Sequence, residues 1–261
     1  HFRKQSRKSH QTEYIVGNSP AMKKVHEMVE RITQSDTTNV LIYGDSGTDK
    51  QSVANAILYG SRRSSKPFVE INCASIPETL MESELFGFER GAFTDAREKK
   101  SGLLEEADEG TFFFDEIGDM SLHLQAKLLK FLDMKTFRRG GGTKEIHVDI
   151  RIIAATNQDL IKAVEGKRFR ADLYYRLNVA TLFLPSLRER KEDIPLLAEH
   201  FIKKCSQRLS KTLEAVSPQA LETLLDYDWP GNVRELENVI ERAALLCGDG
   251  IIDTVHLPMN S

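Results

Sequence analysis

The stretch NVLIYGDSGTDK, Asn39 to Lys50, constrains the fold more than any other part of the chain. A short apolar run ending in glycine reads as a buried parallel strand. A glycine-containing loop with a lysine then opens into an apolar helical pattern. This order sets backbone N–H groups at a helix N-terminus, which makes an anion site. The spacing follows the phosphate-loop pattern G-x-x-x-x-G-K-[ST], with Gly44 as its first glycine and Lys50 as its lysine. Asp49 stands where the pattern has its second glycine, and Gln51 where it has a hydroxyl residue.

Four more strand-like runs follow: KPFVEIN (66–72), GTFFFDE (110–116), VDIRIIAATN (148–157) and ATLFLP (180–185). Helical patterns lie between them, including SLHLQAKLLKFLDM with an apolar stripe at three- and four-residue steps. Alternating strands and helices predict a parallel five-stranded sheet covered on both faces. After Pro185 the strand signals stop. HFIKKCSQRL, SPQALETLLDY and GNVRELENVIERAALL read as amphipathic helices, the second opening on a Ser217 cap followed by Pro218. The expected organisation is a basic linker over 1–13, an α/β domain over 14–184 and an all-helical lid over 185–261.

Several of the strands end in polar residues. The third run carries Asp115 and Glu116 at its carboxyl end, and the fourth ends in Asn157. Open α/β sheets bind ligands at that edge. A carboxylate pair there can hold Mg²⁺ through Asp115 and orient a water through Glu116; an ordinary helix cap is the structural alternative.

The net charge of −3 argues against the whole chain acting as a basic nucleic-acid clamp. Cys73, Cys205 and Cys247 lie far apart without metal or redox spacing, which suits buried thiols in a reducing cytoplasm. No apolar run approaches the ~18 residues of a membrane span. The sequence starts without Met, as an excerpt of a longer chain would.

Further stretches carry a family resemblance: ESELFGFERGAFTDA (82–96), GLLEEADEGTFFFDE, FRADLYYRLN (169–178) and WPGNVREL (229–236). From about Tyr14 to its end the chain resembles the central AAA+ domain of bacterial enhancer-binding proteins, the NtrC-type activators of sigma-54 RNA polymerase. The resemblance implies an AAA+ P-loop fold with a helical lid, ATP or ADP with Mg²⁺ as cofactors, and RNA polymerase holoenzyme as a partner. It also implies ring or dimer assembly with copies of itself, and promoter DNA contacted through a separate C-terminal domain.

By position, Gly44, Asp45, Ser46, Gly47, Thr48, Asp49, Lys50 and Gln51 match the Walker A loop, and Asp115 with Glu116 matches Walker B. Asn72 matches the residue that switches the Walker B glutamate, Asn157 sensor I and Arg234 sensor II. Arg170 and Arg176 match the arginines offered to a neighbour's nucleotide. Ile15, Val16 and Gly17 match the segment beside the adenine. Gly91, Ala92, Phe93, Thr94, Asp95 and Ala96 match the loop pressed against sigma-54.

Two departures stand out. The family's GESGTGKE reads GDSGTDKQ here, and its GAFTGA reads GAFTDA. Asp49 adds a Cβ where glycine's backbone freedom is used. Its charge ~4 Å from a phosphate charge costs roughly 4 kcal/mol at an effective dielectric of about 20, a thousandfold in affinity. These changes predict weakened ATP hydrolysis and loss of sigma-54 remodelling. They also suggest a likeness to degenerate members of the FleQ and VpsR kind, which respond to cyclic di-GMP. Arg3, Arg7, Arg62 and Arg63 are the cationic candidates for that ligand. The alternative is an active ATP-hydrolysing sigma-54-dependent activator.

Overall fold

The computed structural model describes residues 15–93, 98–248 and 250–257. The chain divides into two compact units. The first comprises Met28–Tyr43 and Val53–Phe183, and the second residues 15–27, Gly44–Ser52 and 184–257.

The first unit is built on the expected five-stranded parallel sheet: β1 (Val40–Tyr43), β2 (Phe68–Asn72), β3 (Thr111–Asp115), β4 (Arg151–Thr156) and β5 (Ala180–Phe183). The order across the sheet is β2-β3-β4-β1-β5, and every pairing is parallel. Position in the sheet explains the sequence patterns. In β4, between two neighbours, all six residues are buried, and in β3 the first four are. The edge strand β2 alternates, with Val69 and Ile71 inward and Glu70 outward.

Helices α1 (Pro20–Thr33), α2 (Lys50–Gly60), α3 (Glu78–Phe86), α4 (Leu122–Met134), α5 (Leu160–Glu165) and α6 (Ala171–Leu177) follow in chain order. In α4 the buried residues Leu124, Leu128, Phe131 and Leu132 form one stripe. That stripe packs in the core with Phe112, Phe114, Ile152 and Ala154. Burying Phe112, Phe113 and Phe114, each at most 1% exposed, contributes roughly 1.5–3 kcal/mol per side chain.

The second unit holds α7 (Ile194–Leu209), α8 (Pro218–Asp226) and α9 (Asn232–Leu246). Ser217 Oγ accepts from Ala220 N at 3.2 Å, the expected cap of α8. One correction concerns the strands. The chain does not stop forming them after Pro185: β6 (Leu213–Val216) and β7 (Gly250–Ile252) make a two-stranded parallel pair in this unit. Both are too short to carry a readable alternation. Trp229, Leu236, Ile240 and Leu197 anchor the core here, and Val16 packs against it.

Candidate nucleotide and hydrolysis site residues

In the second unit the loop from Gly44 folds tightly on itself. Thr48 Oγ1 donates to Asp45 O at 2.8 Å, and Lys50 Nζ lies 3.0 Å from Gly44 O. Lys50 is only 6% exposed. Gly47 has φ +79° and Asp49 φ +74°. The substituted residue therefore sits in the left-handed region, where glycine is at ease and other L-residues pay about 1–2 kcal/mol, aspartate less than most. Asp49 is exposed.

Residues of the C-terminal segment meet this loop. Asn232 Nδ2 donates to Ser46 O at 2.9 Å, and Arg234 N donates to Gly47 O at 3.1 Å. A Cβ on Gly47 would lie 2.2 Å from Gly231 O, so the approach requires glycine. A cavity of 410 Å³ is lined by Ser46, Gly47, Gly231, Arg234, Asn238 and Arg242 among others. Arg234, expected from the sequence, thus stands beside the loop. The segment beside it is fixed by a buried carboxylate: Asp193 accepts from Asn18 N (2.6 Å), Ser19 N (2.8 Å) and Ser19 Oγ (2.6 Å). Gly17 O, next to half-buried Ile15 and Val16, faces His26 Nε2 at 3.1 Å.

In the first unit, Asp115 closes β3, and its Oδ2 accepts from Asn72 Nδ2 at 2.9 Å. Its Oδ1 accepts from Glu116 N at 3.1 Å. Glu116 adopts a left-handed conformation, φ 51° and ψ 51°. Its Oε2 accepts from Asn157 N at 3.0 Å. The sheet therefore brings Asn72, Asp115, Glu116 and Asn157 together at its carboxyl edge. Asn72 bonds Asp115, the neighbour of the glutamate that the resemblance assigns to it. Cys73 follows directly. Burial, with the charge of Asp115 next, pushes its thiol up to about 12. Asp115 and Glu116 are hard oxygen donors, which suits Mg²⁺: that ion takes one or two protein carboxylates and completes its shell with phosphate and water.

Arg170 and Arg176, at either end of α6, are tied to acids. Arg170 Nη2 lies 2.7 Å from Asp172 Oδ2, and Arg176 Nε lies 3.1 Å from Asp133 Oδ1. Gly91, Ala92 and Phe93 form the start of an exposed loop, with Phe93 half exposed and edge-on to Phe88 at 4.8 Å. Thr94, Asp95 and Ala96 lie outside the described residues, as do Arg3 and Arg7.

Arg63, one of the cationic candidates, is engaged with the protein itself. Its side chain is 11% exposed and holds Gly110 O (2.9 Å), Asp149 O (3.0 Å) and Asp149 Oδ2 (2.8 Å). These partners lie at the amino ends of β3 and β4, so the guanidinium ties the strands together there. Arg62 is 88% exposed, with Asp36 at 3.8 Å.

Sequence reasoning missed Asn232, Arg188, Arg190 and Asp193, all in the second unit. It also missed Arg139, which joins Glu89 and Glu105 beneath the exposed loop. For Arg188, Arg190 and Asp193 the sequence signal was the density of charge in LRERKED.

Comparison with known proteins places the chain. Residues 15–183 match the sigma-54 interaction domain family and residues 188–261 the AAA+ ATPase lid domain. The nitrogen fixation protein VnfA of Azotobacter vinelandii is 52% identical over 94% of this chain and 47% of its own length. The transcriptional regulatory protein ZraR of Escherichia coli is 50% identical over 94% of this chain and 55% of its own. The chain thus spans about half the length of the curated relatives it matches. A crystal structure of NtrX from Brucella abortus in complex with ATP superposes with a TM-score of 0.85. It is 37% identical and covers 94% of this chain and 54% of that one.

Proposed function

The chain belongs to the sigma-54 interaction domain family, and on that premise we propose that it is the ATP-hydrolysing AAA+ module of a sigma-54-dependent transcription regulator. The observation that carries this reading is the hydrogen-bonded set at the carboxyl edge of the sheet. Glu116 is held by Asn157 N, and Asp115 is held by Asn72. The solved relative in complex with ATP supports the choice of nucleotide.

In this reading the N–H groups of the loop from Gly44 receive the phosphates, favoured by the helix N-terminus behind them. Lys50 turns from Gly44 O toward the terminal phosphate. Asp115 would hold Mg²⁺, which when bound would supply positive charge for phosphoryl transfer. Glu116 would orient the attacking water, and its bond from Asn157 N holds the carboxylate in place. Arg234 adds positive charge from the lid. Arg170 and Arg176 exchange their acidic partners for the nucleotide of a neighbouring copy, which makes turnover depend on assembly. The exposed loop around Phe93 meets sigma-54, and residues 14–184 and 185–261 act as the two functional domains. Promoter DNA is reached through a part of the protein outside this chain.

A second reading rests on Asp49. With an acid at φ +74° in the phosphate loop, the module keeps nucleotide-controlled assembly while hydrolysis is weakened, and cyclic di-GMP is the controlling ligand.

ATP turnover and calorimetry with ATP and cyclic di-GMP separate the two. The first reading expects Mg²⁺-dependent turnover that Glu116→Gln abolishes while ATP binding persists. Turnover unchanged in Glu116→Gln would refute the role given to Glu116. No turnover, with binding of cyclic di-GMP alone, would favour the second.

A further inference from the structure

The first unit holds a cavity of 370 Å³ that none of the nucleotide or hydrolysis residues lines. Three elements wall it. Helix α3 presents Glu82 and Phe86, one turn apart. Helix α4 presents Lys127, Lys130, Phe131 and Met134, which share a face at three- and four-residue steps. The third wall is the antiparallel hairpin of Thr136–Arg138 with Glu145–His147, joined by the turn at Arg139, Gly140 and Gly141.

The floor is aromatic. Phe137 meets Phe86 edge-on at 5.6 Å and Phe131 at 6.0 Å, and all three are buried. Met134 lines the same cavity yet is 54% exposed, which leaves an adaptable apolar side chain open to whatever enters. The charged groups around it are mostly paired with one another. Lys127 Nζ lies 2.5 Å from Glu82 Oε1, Arg138 Nη2 lies 2.7 Å from Glu145 Oε1, and Arg139 is held by Glu89 and Glu105. Lys130 differs: its ammonium has no ion pair or hydrogen bond among the described residues. An apolar cavity of this volume with one polar group to fix orientation has the makeup of a small-ligand site.

The turn wall also carries the exposed loop. Gly140 O accepts from Glu89 N and Gly140 N donates to Gly87 O, both at 3.0 Å. Gly141, at φ +71°, packs so closely that a Cβ there would lie 2.8 Å from Ala92 Cβ.

We propose that this cavity binds a small amphipathic anion, an aromatic body bearing a single carboxylate or sulfonate, and that its occupancy steadies the base of the exposed loop. The aromatic body covers Met134 and the three phenylalanines, and the single negative charge answers Lys130. A dianion finds no second free cation among the described lining residues, and a neutral aromatic leaves Lys130 unanswered. The inference stands on this cavity and does not depend on the nucleotide reading.

The probe is 2-naphthoate, titrated by calorimetry, with neutral 2-naphthalenemethanol beside it. Saturable binding of one naphthoate is expected at about 1 mM or tighter, a modest efficiency for a ligand of that size. Lys130→Glu, at an exposed position, should weaken naphthoate about tenfold or more and leave the alcohol within about twofold. Arg62→Glu reverses an exposed charge of the same unit outside the cavity, and should change neither. Circular dichroism confirms that both variants are folded. Amide exchange at Glu89 and Gly140 should slow about threefold or more with saturating naphthoate. No saturable binding, or equal losses in Lys130→Glu and Arg62→Glu, would overturn the site. Binding of the alcohol as tight as that of naphthoate would overturn the anion assignment. Unchanged exchange at Glu89 and Gly140 would overturn the link to the loop.

Discussion

Asn232→Ala removes two hydrogen bonds and leaves a left-handed backbone under a residue that resists it. Asn232 is 2% exposed with φ 55°. Its Oδ1 accepts from the buried Leu187 N, and its Nδ2 donates to Ser46 O. Ser46 is exposed, so its carbonyl finds water, and little is lost there. Leu187 is fully buried, and an unpaired buried N–H costs about 1–3 kcal/mol. Alanine in the left-handed region adds about 1 kcal/mol, giving a total of about 3 kcal/mol. Asn232→Gly loses the same hydrogen bonds but not the strain, and should be milder by about 1 kcal/mol.

The chain carries its own probe. Trp229 is its single tryptophan, 1% exposed and bonded through Nε1 to Leu224 O at 2.8 Å. Urea unfolding followed by tryptophan emission therefore reports the second unit. With an m-value of about 2 kcal/mol/M, the midpoint should fall by about 1.5 M for alanine and about 1 M for glycine. An alanine midpoint within about 0.3 M of the parent would refute the hydrogen-bond assignment. Coincident alanine and glycine midpoints would refute the strain assigned to position 232.

Two further outcomes follow from the ionisable groups of the first unit. Burial alone would raise the Glu105 carboxyl, but the Arg139 guanidinium and the Gly102 N–H hold it below the usual carboxylate range. Its folded pKa being depressed, its stabilisation is present above the ordinary Glu value of about 4.3 and lost as pH falls through the lower folded value. Urea midpoints read by circular dichroism should drop across that acidic window, less steeply in Glu105→Gln; parallel profiles would remove Glu105 as a cause. The Cys73 thiol, pushed up to about 12 by burial and Asp115, should stay unreactive to a disulfide reagent at pH 8. Cys205 and Cys247 are also buried, so all three should react only after denaturation. Rapid native labelling of Cys73 would contradict its placement.

Much of the first unit was legible because its signals are local or periodic. A strand such as RIIAAT is apolar on both faces because sheet and helices cover both, and a run of that kind announces itself. Asp115, Glu116 and Asn157 were readable for the same reason: each follows directly on such a run, at the edge where the sheet must end. The loop at Gly44 declared itself through glycine and lysine spacing. What stayed hidden depends on single polar residues meeting across the chain. Asp193 and Arg190 lie in LRERKED, where charge density reads as solvated surface, yet both are buried. Asn232 stands at the start of the helical stretch GNVRELENVIERAALL, and nothing near it in sequence reveals Ser46 as its partner. Strands β6 and β7 escaped because three or four residues cannot establish a period.

The bonds between Asp193 and residues 18 and 19 span sequence separations of 175 and 174. Closing so long a loop costs about 4.5 kcal/mol of chain entropy before any of the three bonds forms. This clasp therefore cannot help to nucleate folding. It closes once the intervening chain is already compact, and during unfolding it is among the first features to open. Amide exchange at Asn18 and Ser19 should consequently run ahead of the sheet, making the approach to α1 the natural place for the folded chain to come undone.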